Sequence, residues 1–145
     1  MKNAAGFTLL EVLLSVTIMG MLIGLSVPVY ETFVRRNDLD IAAQSLATML
    51  RRAETYARGS QNDDAWSVEI QATTATLFQG ISFGGRNMNY DETIDLPGTV
   101  SPSGLSELQF SKMTATPNTT GNIVLTSTTN DTRTITVNAK GMVSY

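Results

Sequence analysis

The feature that most constrains this sequence is an apolar run over residues 7–30, FTLLEVLLSVTIMGMLIGLSVPVY, in which Glu11 carries the one formal charge. A helix rises about 1.5 Å per residue, so a run of this length can cross a hydrocarbon core about 30 Å thick. The sequence therefore predicts a transmembrane helix over residues 7–30. The segment MKNAAG precedes the run, and the residues that follow it have to supply the part that folds in water.

The run could also belong to a secretory signal peptide or to a plain membrane anchor. A signal peptide would carry a positive charge such as Lys2, but its apolar region is about 7–15 residues long and ends at a small-residue cleavage site. The run ends instead at Pro28-Val29-Tyr30. A plain anchor fits the length and leaves Glu11 without a role, because a carboxylate inside such a helix costs about 3 kcal/mol on insertion scales. Glu11 is therefore either a functional charge or a residue at headgroup depth, and physical chemistry alone leaves both alternatives open.

The composition argues against several classes of function. Histidine and cysteine are both absent, so the chain offers no imidazole or thiolate to a metal and none of the histidine-based nucleophilic arrangements of hydrolases. The sequence predicts no enzyme, no cofactor and no metal site. The net charge of −3 at pH 7 also disfavours a nucleic-acid-binding surface, which needs clustered cations.

The segment Gly6-Phe7-Thr8-Leu9-Leu10-Glu11 resembles the type III signal of type IV pilins and type II secretion pseudopilins. The resemblance implies that prepilin peptidase, a membrane aspartyl peptidase, cleaves after Gly6. It implies that the same enzyme N-methylates Phe7 and that Glu11 becomes the fifth residue of the mature chain. Gly20 and Pro28 match a glycine and a proline that flank a loosened part of the family's helix. Pro28 also lacks a helical N–H, which independently predicts a kink near residues 24–28.

The resemblance also implies a role for Glu11. Cleavage would create an α-amine on Phe7 in or beside the bilayer, and a buried ammonium and a buried carboxylate are each costly alone and tolerable as a pair. In the family this pair forms between neighbouring subunits and sets their axial register. Positive charges flank the run on both sides, so charge counting does not orient it. The cytoplasmic N-terminus is implied by the resemblance. Gly20 and Gly24 form a G-x-x-x-G pair, for which we favour simple tolerance of small residues over a dimerisation face.

Residues 31–58 replace the continuous apolar run with a single apolar stripe. Its spacing of about three to four residues predicts a water-exposed helix with one buried face. The stripe consists of Leu39, Ala42, Ala43, Leu46, Met49, Leu50, Ala53, Tyr56 and Ala57. Arg51, Arg52, Glu54 and Arg58 lie off the stripe and are predicted to be solvated. Gly59 predicts the C-terminal end of the helix, and a polar turn follows it.

Beyond this turn, short segments of alternating or β-branched residues predict an antiparallel β domain. Glycine, proline, asparagine and aspartate mark the turns between the segments. The high threonine content of residues 113–136 is better explained by exposed strand faces than by O-linked sugar. Strands are predicted at residues 66–71, 73–79, 93–96, 107–112, 121–127, 132–138 and 142–145.

The C-terminal segment GNIVLTSTTNDTRTITVNAKGMVSY narrows the resemblance. It is similar to the closing hairpin of GspH/FimT-type minor pseudopilins, in which a strand ending in I-x-V leads to a glycine turn and a short last strand. The helix segment LATMLRRAETYARGSQ resembles the same group, whereas residues 80–110 are generic. Some FimT-type proteins bind DNA through arginines around this turn. Here Lys140 is the one cation in Ala139-Lys140-Gly141-Met142, so DNA is not an expected partner.

Two carboxylate clusters could be considered as cation sites, namely Asp63-Asp64 and the group of Asp91, Glu92 and Asp95. Hard cations need several oxygen atoms that converge on one loop. Neither cluster has the spacing of a calcium-binding loop. We therefore interpret both clusters as solvated loop charge.

The predicted fold is α+β, with a long N-terminal helix packed on a C-terminal antiparallel sheet domain, as in the pilin fold. The predicted segments are a leader peptide at residues 1–6, a transmembrane and assembly part of the helix at 7–30, an amphipathic part at 31–60 and a β globular domain at 61–145.

The resemblance implies a structural subunit, a minor pseudopilin or pilin of a type II secretion pseudopilus or a type IV pilus. Its implied partners are prepilin peptidase, other pilins or pseudopilins in a helical filament, the inner-membrane assembly platform, and membrane lipid before assembly. The implied location is the bacterial inner membrane, as a single-pass protein with the β domain in the periplasm, and then the filament. The alternatives are a tip subunit that binds DNA or a secreted protein, a major pilin, and a membrane-anchored enzyme. The missing histidine and cysteine count against the last.

Overall fold

The computed structural model describes residues 6–145, and for residues 25–29 and 31 it describes the backbone alone. The chain divides into two compact units, Met1–Val34 and Arg35–Tyr145. One long helix, α1, runs over Leu9–Arg58 and ends one residue before Gly59, as the sequence predicts. Eight strands follow it: β1 (Trp66–Ile70), β2 (Thr74–Gln79), β3 (Asn87–Asp95), β4 (Val100–Gly104), β5 (Glu107–Phe110), β6 (Gly121–Ser127), β7 (Thr132–Val137) and β8 (Val143–Ser144).

The strands form two four-stranded antiparallel sheets, in the orders β3-β2-β1-β5 and β4-β6-β7-β8. The register of the first sheet places Val68 of β1 between Leu77 of β2 and Leu108 of β5. In the second sheet, Ile123 of β6 lies opposite Ile135 of β7. Because side chains alternate between the two faces of a strand, these registers gather the large apolar residues of each sheet on one face.

Both apolar sheet faces pack against the second half of α1. The predicted stripe is confirmed, because all of its members except the half-buried Tyr56 are buried. Alanine at four of these positions lets the helix lie close to the strands. A single cluster results, which joins the helix stripe to Trp66, Val68, Ile70, Leu77, Leu108, Phe110, Ile123, Leu125, Ile135 and Val137. The predicted α+β architecture, a helix packed on antiparallel sheets, is confirmed.

The sequence-based strand assignment was wrong in one region. β3 begins at Asn87, well before the predicted start at residue 93, and β4 at Val100–Gly104 was missed altogether. β4 contains Pro102, which disfavours a strand assignment because proline cannot donate to a ladder. It is nevertheless paired with β6 over its whole length, from Val100 opposite Ser127 to Gly104 opposite Ile123. An edge position makes this possible, since one side of the strand needs no donors.

The outer face of β2 carries its own small apolar contact. Phe78 lies on the face opposite the helix and is nevertheless fully buried. The ring of Phe83, in the 3-10 turn Phe83–Gly85, packs edge-to-face against it at a centroid distance of 5.5 Å. The Arg86 guanidinium stacks over Phe83 at 3.7 Å. The β2–β3 connection therefore packs on the outer face of β2 and covers Phe78.

Candidate assembly surface

Glu11, which the sequence singles out, lies in the first turn of α1, and Phe7 lies two residues before the helix begins at Leu9. The backbone N–H of Glu11 donates to the carbonyl oxygen of Thr8 at 3.1 Å and to its hydroxyl oxygen at 3.3 Å. Thr8 is therefore the N-cap of α1, and Thr8-Leu9-Leu10-Glu11 has the T-x-x-E pattern of a capping box. The carboxylate of Glu11 lies in the first turn, where the helix dipole favours a negative charge. The sequence analysis did not predict this role of Glu11 in the first turn of the helix, although the T-x-x-E spacing is visible in the sequence.

Large apolar side chains cover the helix on all sides in this unit. Phe7 is 83% exposed, and even the least exposed of the large apolar residues up to Ile23, namely Ile18, is 50% exposed. A helix that is apolar all round is stable only when something other than water covers it. The apolar segment is therefore a surface for a partner or for lipid.

The polar groups of this segment are satisfied within the helix itself. The Ser15 hydroxyl donates to the carbonyl oxygen of Glu11, and the Thr17 hydroxyl donates to that of Leu13, both at 2.7 Å. Such bonds let hydroxyl residues face an apolar environment at little cost. A Cβ added at Gly20 or Gly24 would meet nothing within 4 Å. The contacts around these positions therefore give no reason for glycine.

The predicted leader peptide, the predicted loosening of the helix and the predicted transmembrane span all stay predictions. Gly6 is exposed, while the remainder of the predicted leader lies outside the described residues, as does the side chain of Pro28. The bounds of α1 run across Gly20 and Pro28, and the predicted loosening between them is untested. Among the described side chains, no helix combines the length and the apolar character needed to cross a membrane.

Two adjacent arginines join the second half of α1 to different sheets. Arg52 makes a two-pronged ion pair with Glu92 on β3, with both nitrogen–oxygen distances at 2.6 Å, and donates to the Tyr56 hydroxyl at 2.9 Å. These hydrogen bonds raise the pKa of Arg52, Glu92 contributing most. Arg51 donates to the carbonyl oxygen of Val143 on β8 at 3.2 Å. Both arginines lie off the buried stripe, as predicted, and Arg52 keeps a side chain that is 42% exposed. Their bonds to the two sheets were not predicted, because the partners come from distant parts of the sequence.

A second set of polar contacts joins the start of the unit Arg35–Tyr145 to the turn between β6 and β7. The guanidinium of Arg35 donates to the Thr128 hydroxyl at 2.7 Å, and Arg36 lies 3.6 Å from the carboxylate of Asp131. Arg133 on β7 pairs with Asp40 of the helix at 2.7 Å. These charges help to hold the first turns of the amphipathic segment on the β domain.

The carboxylate clusters are mostly engaged in ion pairs and capping. Asp91 pairs with Arg86 at 2.7 Å, and both side chains are less than one-fifth exposed. Asp63 pairs with Lys112, while Asp64 accepts the backbone N–H of Ala65 at 2.7 Å. Within the described part of the chain, no group of three acidic, histidine or cysteine residues is arranged for a metal ion. Solvated loop charge was the wrong interpretation for Asp91 and Glu92, which lie on β3 and face arginines.

The glycine turn predicted in the tail is confirmed. Gly141 has a φ of +83°, and the side-chain oxygen of Asn138 accepts the backbone N–H groups of Lys140 and Met142 at 2.9 and 3.0 Å. A Cβ on Gly141 would lie 2.6 Å from the carbonyl oxygen of Ala115. The turn is held in place by packing against the β5–β6 connection.

Comparisons with known proteins agree with this arrangement. Residues 1–27 match the family model described as the prokaryotic N-terminal methylation motif. No curated protein sequence matches the chain. Among solved structures, the chain is similar to the minor pseudopilin EpsH from the type 2 secretion system of Vibrio cholerae, with a TM-score of 0.57 and 16% sequence identity over 74% of this chain and 94% of that one. Residues 1–27 therefore carry the prokaryotic N-terminal methylation motif, and the fold of the chain is similar to that of a minor pseudopilin.

Proposed function

We propose that the chain is a structural subunit of a type II secretion pseudopilus or a type IV pilus, and that it assembles through the apolar first part of α1. The observation that carries this proposal is the exposure of every large apolar side chain from Phe7 to Ile23. The N-terminal methylation motif covers the same segment. The proposed role is structural, with the β domain displayed on the outside of a filament.

The proposed route to the filament has three steps. Prepilin peptidase cleaves after Gly6 and N-methylates Phe7. The subunit then resides in the bacterial inner membrane through residues 7–30, with its N-terminus in the cytoplasm and its β domain in the periplasm. Finally, the assembly platform transfers it to neighbouring subunits, whose helices replace lipid as the cover of the apolar surface. Glu11 pairs with the Phe7 amine of a neighbour, because an unpaired charge in the apolar filament core would cost several kcal/mol.

The fold supports a pseudopilin over a plain membrane anchor. An anchor would need only the apolar helix, whereas here the same helix continues into a domain whose core it builds. The similarity to EpsH in fold extends over 74% of this chain, which is more than the apolar helix alone. Which machine the subunit belongs to is set by its partner genes, which we expect to be those of a secretion or pilus operon.

The test is co-expression of the full chain with a prepilin peptidase, followed by intact-mass analysis. We expect the loss of MKNAAG and a mature chain that begins with N-methyl-Phe7. Gly6→Val serves as the control, because the added side chain should block cleavage while leaving membrane residence unchanged. A wild-type chain that keeps its full length, or that is cut near residue 30, would contradict the proposal.

A further inference from the structure

The ends of the two sheets differ in how they are protected. A strand at the end of a sheet exposes unpaired backbone groups, and proteins usually block such an edge with proline, a covering loop or a very short strand. β4 contains Pro102, and β8 is two residues long. β5 is covered by its own loop, since Asn118 donates its backbone N–H to the carbonyl oxygen of Gln109 and accepts the N–H of Gln109 on its side chain, both at 3.0 Å.

The remaining end, β3, has none of these protections. Its sequence NMNYDETID contains no proline, glycine or lysine. Its pairing with β2 is irregular before Glu92 and regular over Glu92–Asp95. Across the described residues, no backbone group bonds to the side of β3 that faces away from β2. The open edge is therefore the short, regular part of the strand, Glu92–Asp95.

The backbone groups on this edge can be assigned by alternation. Leu96, the residue after β3, donates its N–H to the carbonyl oxygen of Thr73 at 2.8 Å and so points toward β2. Successive residues of an antiparallel strand direct their backbone groups to opposite sides. The N–H and C=O groups of Thr93 and Asp95 therefore point outward, ready to bond to an added strand.

A groove runs beside this edge, between β3 and the helix. It has a volume of about 320 Å³ and is lined by Gln44, Ser45, Thr48, Met49, Arg52 and Ile94. Ile94 and Met49 give it an apolar floor. Alternate side chains of an added strand would enter this groove, because they would lie on the same face of the sheet as Ile94.

The charges on β3 decide which strand fits. Glu92 and Asp91 are paired with Arg52 and Arg86, whereas Asp95 is exposed and has no ion pair among the described residues. A second copy of β3 would bring like carboxylates together across the edge, which is unfavourable. A strand with lysine or arginine beside Asp95 would be attracted. We propose that the outer edge of β3 at Glu92–Asp95 docks an extended, cationic segment of another protein, which joins the sheet as a fifth strand.

This docking site is independent of assembly through the N-terminal helix, and its test uses the full chain in neutral detergent micelles. The probe is a short peptide of alternating lysine and valine, and the readout is amide hydrogen exchange by NMR. We expect saturating peptide to slow exchange about tenfold or more at the amides of Thr93 and Asp95, because both gain hydrogen bonds. The control peptide alternates glutamate and valine and should leave both amides unchanged. Unchanged exchange with the lysine peptide, or equal protection by the two peptides, would overturn the proposal.

Two pairs of variants separate backbone docking from simple charge attraction. Thr93→Pro removes one outward N–H and should weaken binding of the lysine peptide about tenfold or more, whereas Thr93→Ala keeps that N–H and should bind within about twofold of the wild type. Asp95→Lys should weaken binding about tenfold at low salt, and Asp63→Lys, in the turn after the helix, should not. The exchange rates of Val68 and Leu77 report whether each variant keeps its sheet. A folded Thr93→Pro chain that binds like the wild type would contradict docking at this edge.

Discussion

Single residues in this chain combine a local role with a distant one. Glu11 lies in the first turn of α1, where the Thr8 cap and the helix dipole already favour it. The same carboxylate is the proposed partner of a neighbouring subunit's Phe7 amine. The two roles can be separated, because the hydrogen bonds at the cap use the backbone N–H of residue 11 and survive replacement of its side chain.

The first prediction therefore concerns Glu11→Ala. Cleavage after Gly6 and membrane residence should persist, since the scissile bond is unchanged and a charge has left an apolar segment. Incorporation into filaments should fall by more than about tenfold, because the neighbour's ammonium is left unpaired. Incorporation of Glu11→Asp should be intermediate between that of the wild type and that of Glu11→Ala, because the shorter side chain weakens the contact.

The measurement for Glu11 is the share of each variant in sheared filaments or in pull-downs of partner pseudopilins. Ser15→Ala is the matched control from the same helix, since the Ser15 hydroxyl bonds only to the carbonyl oxygen of residue 11 among the described contacts. It should incorporate at the wild-type level. Wild-type incorporation of Glu11→Ala would show that Glu11 lies at headgroup depth without an assembly role.

Gly141 is the residue on which the closing hairpin depends. Gly141→Ala places a side chain at a φ of +83°, which costs about 1–2 kcal/mol for an L-residue. The same Cβ would overlap the Ala115 carbonyl oxygen at 2.6 Å. We expect a total loss of about 2 kcal/mol or more, measured by thermal unfolding with the fluorescence of Trp66, the single tryptophan. Gly98→Ala should be nearly neutral, because its Cβ would meet nothing within 4 Å. Equal effects of the two substitutions would contradict a special role for Gly141.

Glu69 and Glu107 face each other across β1 and β5. Burial, and secondly the charge of Glu107, raise the pKa of Glu69. A raised pKa means that the folded state holds the proton more tightly, so this contribution to stability is complete below the ordinary carboxyl pKa of about 4.3 and is lost as pH rises through the raised value.

Glu69→Gln should therefore stabilise the chain at pH 7 by about 0.5 kcal/mol, the size of a cross-strand like-charge term. The gain should disappear near pH 4, where the wild-type carboxyl is protonated. Unfolding curves of both proteins at the two pH values provide the test. A gain that is the same at both pH values would point to packing as the cause instead of charge.

At the scale of elements, the helix is tied to the sheets by polar pairs at the margins of the core. Arg52 reaches β3 on one sheet and Arg51 reaches β8 on the other. The Arg52–Glu92 pair also borders the proposed docking edge. An edge strand with one neighbour has half the backbone bonds of a central strand, so a side-chain tether matters more for it.

A double-mutant cycle on Arg52 and Glu92 should measure this tether. We expect a coupling energy of about 1 kcal/mol, the upper end for exposed pairs, because the contact has two prongs. The Arg58–Glu54 pair is the matched control. It has the same 2.6 Å separation but lies within one helix, where about 0.3–0.5 kcal/mol is usual. Arg52→Ala should also speed amide exchange at Ile94. Equal coupling energies for the two pairs would show that an ion pair between two elements is no stronger than one within a single helix.

At the scale of the whole molecule, the buried apolar core and the exposed apolar surface belong to different units of the chain. The core lies between Leu39 and Val143, within the unit Arg35–Tyr145. The exposed surface lies in the first unit, from Phe7 to Ile23. Each unit therefore needs a different environment, and the second contains what it needs for folding.

The fragment from residue 31 onward should consequently be a folded, soluble monomer. Size-exclusion chromatography should give the mass of one chain, and circular dichroism should show helix and strand together, because the core needs both. The full chain without detergent or lipid is the comparison, and it should aggregate through its exposed helix. Aggregation of the fragment, or a purely helical spectrum, would mean that the two-unit description is wrong.

The sequence alone determined the features that depend on neighbouring residues. The helix stripe from Leu39 to Ala57, the helix end before Gly59 and the turn at Gly141 were all predicted correctly, because periodicity and turn chemistry act over a few residues. The N-terminal motif was recognisable for the same reason, since its residues lie at fixed short offsets. The processing and assembly roles attached to it stay predictions.

Only the tertiary structure decided the features that depend on distant pairing. β4 exists because β6 pairs with it despite Pro102, and local propensity cannot report such pairing. Arg52 is an ion-paired tether because Glu92 is brought to it from 40 residues away. The division into two sheets sets which strand edges are covered, and so left the end of β3 open. Loop closure over tens of residues is governed by the total burial of the fold, which no short stretch of sequence encodes.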